Sequence, residues 1–212
     1  TGAGNVSFGG AIEGNSATAA SNDLLVITSG TGNVTFTGAI GTTNALGGLT
    51  VNSTAGAGNI TFTSTIGEAG DSANPGVVGT TAIGNATTAD LNFNSTVYSF
   101  DGSTTIKAAT GDTIDVTGGV TSFTTDGDNI SFAVGNIALT NGSNLTIDTG
   151  AAGGDITIGG EIAGASQETV TIDAGTGATS VGVIGTSTEI GALTIGSAQN
   201  GAITLNGAII TD

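Results

Sequence analysis

Apolar and polar residues alternate along this chain in short bursts, and the bursts recur. The clearest is Gly32 to Gly41, which reads Gly-Asn-Val-Thr-Phe-Thr-Gly-Ala-Ile-Gly. Strict alternation over such a run predicts a strand with one face buried, with Val34 and Phe36 inward and Thr35 and Thr37 outward. Copies run from Gly4 to Ile12, Gly58 to Ile66 and Asp90 to Val97. Weaker ones run from Asp112 to Val120, Asp128 to Phe132, Asp155 to Ile162, Ser180 to Ile184 and Ala202 to Ile209. That makes about nine copies spaced by roughly 16 to 31 residues, the range of one supersecondary unit per repeat. Aligning them predicts a single inward column of Phe8, Phe36, Phe62, Phe93, Val116, Phe132, Ile158, Val183 and Leu205.

A second apolar burst precedes most copies, as in Leu25 to Ile27, Leu49 to Val51, Thr105 to Ile106, Leu145 to Ile147, Val170 to Ile172 and Leu193 to Ile195. A third position follows at a fixed offset, at Ile12, Ile40, Ile66, Val97, Val120, Ile162 and Ile209. Each repeat therefore supplies apolar residues to two or three faces, separated by turns rich in Gly, Asn, Asp, Ser and Thr. No helical period persists, and β-branched residues and glycine crowd the chain. The prediction is an all-β fold, a right-handed parallel β-helix (β-solenoid) of about nine coils, the hand following the rule for parallel crossovers.

The Gly-Asn pair before the strand predicts a turn residue at positive φ. It also predicts a ladder of Asn5, Asn33, Asn59 and Asn129 with Asp90, Asp112 and Asp155, each bonding to the next coil. Residues 1–212 read as one solenoid domain, with 68–101, which holds Pro75 and Tyr98, as an irregular loop excursion that either is a tolerated insertion or protrudes to bind something. A single coil fixes many residues and buries few side chains, so stability has to come from stacking.

Composition narrows the chemistry. With 39 glycines and one proline the chain resembles low-complexity sequence, yet 37% of it is hydrophobic and only 8% charged, so it has the material to fold. Acidic residues outnumber basic ones 17 to 1, for a net charge of −16, which argues against nucleic acid and anionic membrane partners. Cysteine, histidine, methionine and tryptophan are absent, which removes disulfides, thiol nucleophiles and zinc-type ligand sets. No apolar run is long enough for membrane insertion. The chain opens on Thr1 rather than a start methionine, which reads as a processed product or an excised segment.

No enzyme is expected. Proton abstraction on a β-helix needs a basic side chain, and the chain has no arginine and one lysine, Lys107, expected in solvent. Glycoside hydrolysis needs convergent carboxylates, whereas the acidic residues are spread through turns. The tightest group is Asp126-Gly-Asp128-Asn129, where Asp126 and Asp128 are weak calcium candidates that lack a bidentate acid at the spacing of a dedicated loop. Nine Asn-x-Ser/Thr sequons, at Asn5, Asn33, Asn52, Asn59, Asn85, Asn94, Asn129, Asn141 and Asn144, follow from the repeat itself. Outward pairs Thr35/Thr37 and Thr61/Thr63 suit an ice-binding face, but the column breaks at Asn92/Asn94, Ser131/Ala133 and Thr157/Gly159. A glycan-binding module needs exposed aromatics, for which only Tyr98, Phe100 and Phe123 qualify by position.

The phrasing Leu49 to Ser53 followed by Gly58 to Thr63, with the parallel passage Leu145 to Ile158, resembles the repeats of filamentous-haemagglutinin-like exoproteins and autotransporter passenger domains. The resemblance implies export to a bacterial cell surface and a role in adhesion, biofilm or surface-layer formation. Joining Ala208 to Asp212 onto Thr1 to Val6 recreates a passage like Val51 to Ile60, so both ends read as open. The expected partners are flanking repeats of the same protein, further copies stacked head to tail, or surface glycans.

Overall fold

The computed structural model describes residues 2–15, 23–52, 54–68, 76–140, 142–165, 167–196 and 201–212; Pro75 and Asn141 lie outside them. Among the described residues there are nineteen strands and no helix, and every strand pairing is parallel. The fold is a parallel β-solenoid.

The pairings form three stacks, which the chain visits in rotation. The first face stacks Val6, Val34, Ile60, Leu91, Ile114, Ile137, Ile162, Ile184 and Ile209. The second stacks Ile12, Ile40, Ile66, Tyr98, Phe123, Ile147, Ile172 and Ile195. The third stacks Leu25, Leu49, Thr81, Thr104, Ile130, Ile156, Thr179 and Ile203. Eight rungs on each of the second and third faces make about seven turns.

The expectation of about nine coils counts one turn twice. The copies at Ile114 and Ile130 belong to the same turn, because Ile114 stacks on the first face and Ile130 on the third. The motif changes face there. The predicted single column is therefore two columns: Phe8, Phe36, Phe62, Phe93, Val116 and Leu139 on the first face, and Ile27, Val51, Ile83, Ile106, Phe132, Ile158, Val181 and Leu205 on the third. Val183 pairs with Glu161 and belongs to neither. The fixed-offset series splits too: Ile12, Ile40 and Ile66 stack, but Tyr98 replaces Val97, Ile162 and Ile209 lie on the first face, and Val120 is 66% exposed.

The stretch 68–101 is no excursion over its described part. Val77 bridges Leu46 and Phe100, Thr81–Ile83 lies between Gly48–Val51 and Thr104–Lys107, and Leu91–Phe93 lies between Ile60–Phe62 and Thr113–Val116. The alternation is regular there; the 31-residue step from Ile60 to Leu91 hides it from a motif search.

Inside, Phe8, Phe36, Phe62 and Phe93 stack with centroids 5.2, 4.8 and 5.3 Å apart and ring planes within 9° of parallel. Tyr98 and Phe123 meet Phe93 edge-on at 4.8 and 5.0 Å, and Phe132 meets Phe123 edge-on at 5.3 Å. Each such contact adds to plain burial. One hydrophobic cluster runs from Ile27 to Ile190, with half-buried residues of the first and last coils packed on it.

Glycine sets how closely coils approach. A Cβ on Gly58 would lie 2.1 Å from the Gly32 carbonyl oxygen, and one on Gly32 2.1 Å from that of Gly4. The expected ladder forms in part and as two series: beside the first face Asn5 Oδ1 accepts the Asn33 N–H (3.0 Å), Asn33 Oδ1 that of Asn59 (3.0 Å) and Asp90 Oδ1 that of Thr113 (3.1 Å), while Asn129 Oδ1 accepts that of Asp155 (2.7 Å) and Asp155 Oδ1 that of Ala178 (2.8 Å) beside the third. The expected positive φ at these asparagines is absent. Among the described non-glycine residues only Asn52 has it, at φ 50.

Candidate functional site

Residues expected to carry chemistry are dispersed or already engaged. Asp128 Oδ1 accepts the Ser103 hydroxyl (3.1 Å), and its main-chain carbonyl accepts the Thr125 hydroxyl (2.5 Å). Burial, followed by the negative charges of Asp126 and Asp128, raises the carboxyl of Asp101 above its ordinary value. Like charges thus gather there, but among the described residues no three acidic side chains are arranged to hold a metal ion. Lys107 is half-exposed, on the strand Thr104–Lys107.

Every aromatic ring except that of Phe8 is withdrawn from solvent. Tyr98, Phe100 and Phe123, the three candidates for a sugar-stacking groove, are as buried as Phe36 and Phe62, and Phe8 is half-buried. Tyr98 OH accepts the Ser95 N–H (2.9 Å) and donates to the Phe62 carbonyl (3.5 Å), while burial pushes its phenol well above the usual range. Of the described sequons, Asn52 and Asn85 are buried and hydrogen-bonded, Asn59 and Asn144 half-buried, and Asn5, Asn33, Asn94 and Asn129 exposed. On the third face the outward positions Thr50, Thr105, Ser131, Thr157, Ser180 and Thr204 fall in one column, interrupted by Ala82.

The surface departs most from that of a closed domain at its two ends. The inward Ile203 and Leu205 in the last coil are 47% and 48% exposed, whereas Thr179, Val181, Ile156 and Ile158 in the same columns are 0 to 2% exposed; in the first coil the inward Leu25 is half-buried where Leu49 beside it is fully buried, and the outward Leu24 and Val26, paired with Gly48 and Thr50, are 71% and 65% exposed. Of six large exposed hydrophobics among the described residues, Val120 alone lies away from the end coils. Val6–Phe8 and Leu24–Ile27 are outermost at one end, and Ala192–Ile195 and Ile203–Leu205 at the other, each with a strand on one side only among the described residues.

No protein-family model, curated protein or solved structure matches the chain.

The end coils also correct one expectation. Val51 to Ile60 runs from the third face to the first, but Ile209 already pairs with Ile184 on the first face, where Val6 lies as well. The passage from Ile209 to Val6 is therefore not of the Val51 to Ile60 kind.

Proposed function

We propose that the chain is a structural β-solenoid of a bacterial surface or extracellular protein, serving as a stalk, surface-layer or filament element, whose end coils are covered by further β-coils. The observation that carries this reading is the uncovered apolar layer at both ends of a fold that elsewhere seals each layer with the next coil. Flanking repeats of the same protein or a second copy stacked head to tail supply the same cover, since either adds hydrogen-bonding edge and apolar surface together. The acidic surface, with one lysine in 212 residues, keeps such rods apart sideways while leaving their ends apolar. Export and adhesion rest on the repeat phrasing. Withdrawal of the rings speaks against sugar stacking as the alternative.

Light scattering and electron microscopy of the chain over a dilution series test this reading. The expected result is concentration-dependent end-to-end association that Leu205→Lys abolishes without changing the β-sheet signal. A dilution-independent monomer whose terminal strands exchange amide protons as slowly as Ile60–Phe62 counts against any cover.

A further inference from the structure

A recurring side-chain bond between coils uses asparagine, which does not titrate: Asn5, Asn33, Asn129, Asn136 and Asn144 each accept one backbone N–H from the following coil, and Asp90 and Asp155 do so with one carboxylate oxygen. Two places use a glutamate that takes three donors. Glu13 accepts the Thr42 hydroxyl (2.9 Å) and the N–H groups of Thr43 (3.0 Å) and Asn44 (2.9 Å). Glu161 accepts the Thr186 hydroxyl (2.8 Å) and both the N–H (2.5 Å) and hydroxyl (2.6 Å) of Ser187.

The receiving loops match. Ile40-Gly-Thr-Thr-Asn-Ala-Leu46 and Ile184-Gly-Thr-Ser-Thr-Glu-Ile190 each leave a stacked isoleucine, turn through a glycine at φ 66 or 70, and return to the core six residues on. In each, the glutamate flanks the isoleucine stacked beneath, Ile12 or Ile162. Backbone N–H groups that follow such a turn make an anion-binding concavity, and the previous coil fills it with a carboxylate. Each clasp borders an open cleft in an end coil: one of about 470 Å³ with Glu13, Ile12, Leu24, Leu25 and Leu46 on its wall, the other of about 390 Å³ formed by Gly185 to Glu189 with Ala165 and Ile210.

We propose that Glu13 and Glu161 are acid-released catches: ionised, each fastens the loop of the next coil, and protonated, it frees that loop and widens the cleft beside it. Protonation removes the charge that strengthens all three bonds and forces the facing Thr42 or Ser187 hydroxyl to turn and accept, so each clasp falls from charge-assisted to ordinary neutral hydrogen bonds. Burial raises each group and the loop's hydrogen bonds outweigh it, holding both below the ordinary 4.5. Their contribution is complete above that value and is lost as pH falls through the lowered folded value.

Of the other titratable groups nearby, Asp23 shares the first cleft and takes the Asn15 N–H (2.6 Å). Glu189 borders the second cleft and is raised by the hydrogen bond its protonated carboxyl donates to the Asp212 carboxylate, and then by the charge of Asp212. Glu168, close by, takes the N–H groups of Gly142 (3.0 Å) and Ala165 (2.8 Å). The shifts of Glu13 and Glu161 come from burial and, outweighing it, from the hydrogen bonds of their own loops.

This catch does not depend on what covers the end coils. Residue-resolved hydrogen exchange on dilute protein, corrected for intrinsic rates, reads the amides of Thr43, Asn44 and Ser187 directly. Between neutral pH and about pH 3 their protection falls roughly tenfold while that of Ile60–Phe62 holds. Glu13→Gln unprotects Thr43 and Asn44 at neutral pH and abolishes their pH response, leaving Ser187 as it was; Glu161→Gln does the reverse. Protection that falls uniformly along the solenoid, or a pH response that survives in the variants, overturns the proposal.

Discussion

The first four turns and the last three build the same solenoid differently. In the first, Val6, Val34, Ile60 and Leu91 follow one another at 28, 26 and 31 residues, the motif strand lies on the first face, and four phenylalanines stack within it. From Leu91 on the steps shorten to 23, 23, 25, 22 and 25, and after Ile114 the motif strand moves to the third face. There Phe132 is the last ring and the inward third-face positions beyond it are Ile, Val and Leu apart from Thr179. Strands lengthen as turns shrink: Ile156–Ala163 has eight residues and serves both the third and first faces. The motif thus denotes a strand, an inward pair and a glycine that lets the next coil approach. Its place around the circumference is set by how many residues the preceding turns use.

The strongest way to break this comparison is to remove volume from each half. Phe62→Ala takes away a ring stacked on both sides and should cost about 3–5 kcal/mol, against about 2–4 for Ile158→Ala, measured by denaturant unfolding. Equal losses would mean the ring stack adds nothing beyond burial. A finer test uses the glycines, because Gly58 and Gly154 carry the same tight approach on different faces, each with its would-be Cβ 2.1 Å from a carbonyl oxygen below. Alanine at either should cost about 1–3 kcal/mol through overpacking, and a clear difference would show that one half yields more easily. The smallest effect is a gain. Thr81 occupies a third-face position filled by Leu49 one coil below, and its buried hydroxyl has no partner. Thr81→Val should raise stability by about 1 kcal/mol, seen as a higher unfolding midpoint at unchanged slope.

Alternation alone made the individual strands legible, with Val34, Phe36, Ile60 and Phe62 inward and Thr35 and Thr61 between them. The inter-coil acceptors Asn5, Asn33 and Asn129 were legible for the same reason, a polar residue at a fixed distance from each strand, but not that Asn129 serves a different face from the other two. Continuity between strands was not. Ile114 and Ile130 look alike locally, and only the backbone partners Leu91 and Thr104 tell that they lie on different faces. Thr81–Ile83 escaped notice because its inward Thr81 breaks the apolar pattern. The clasps escaped because Glu13 and Glu161 meet their loops 29 to 31 and 25 to 26 residues away, a distance no local spacing rule spans.

Tyr98, fixed among Phe62, Phe93 and Phe123, is the chain's only tyrosine, and there is no tryptophan. Whatever tyrosine fluorescence the molecule emits therefore comes from one coil near the middle of the rod. It reports melting there and stays silent while the tips fray, so an optical melt and a calorimetric one should part company if the solenoid unzips from its extremities.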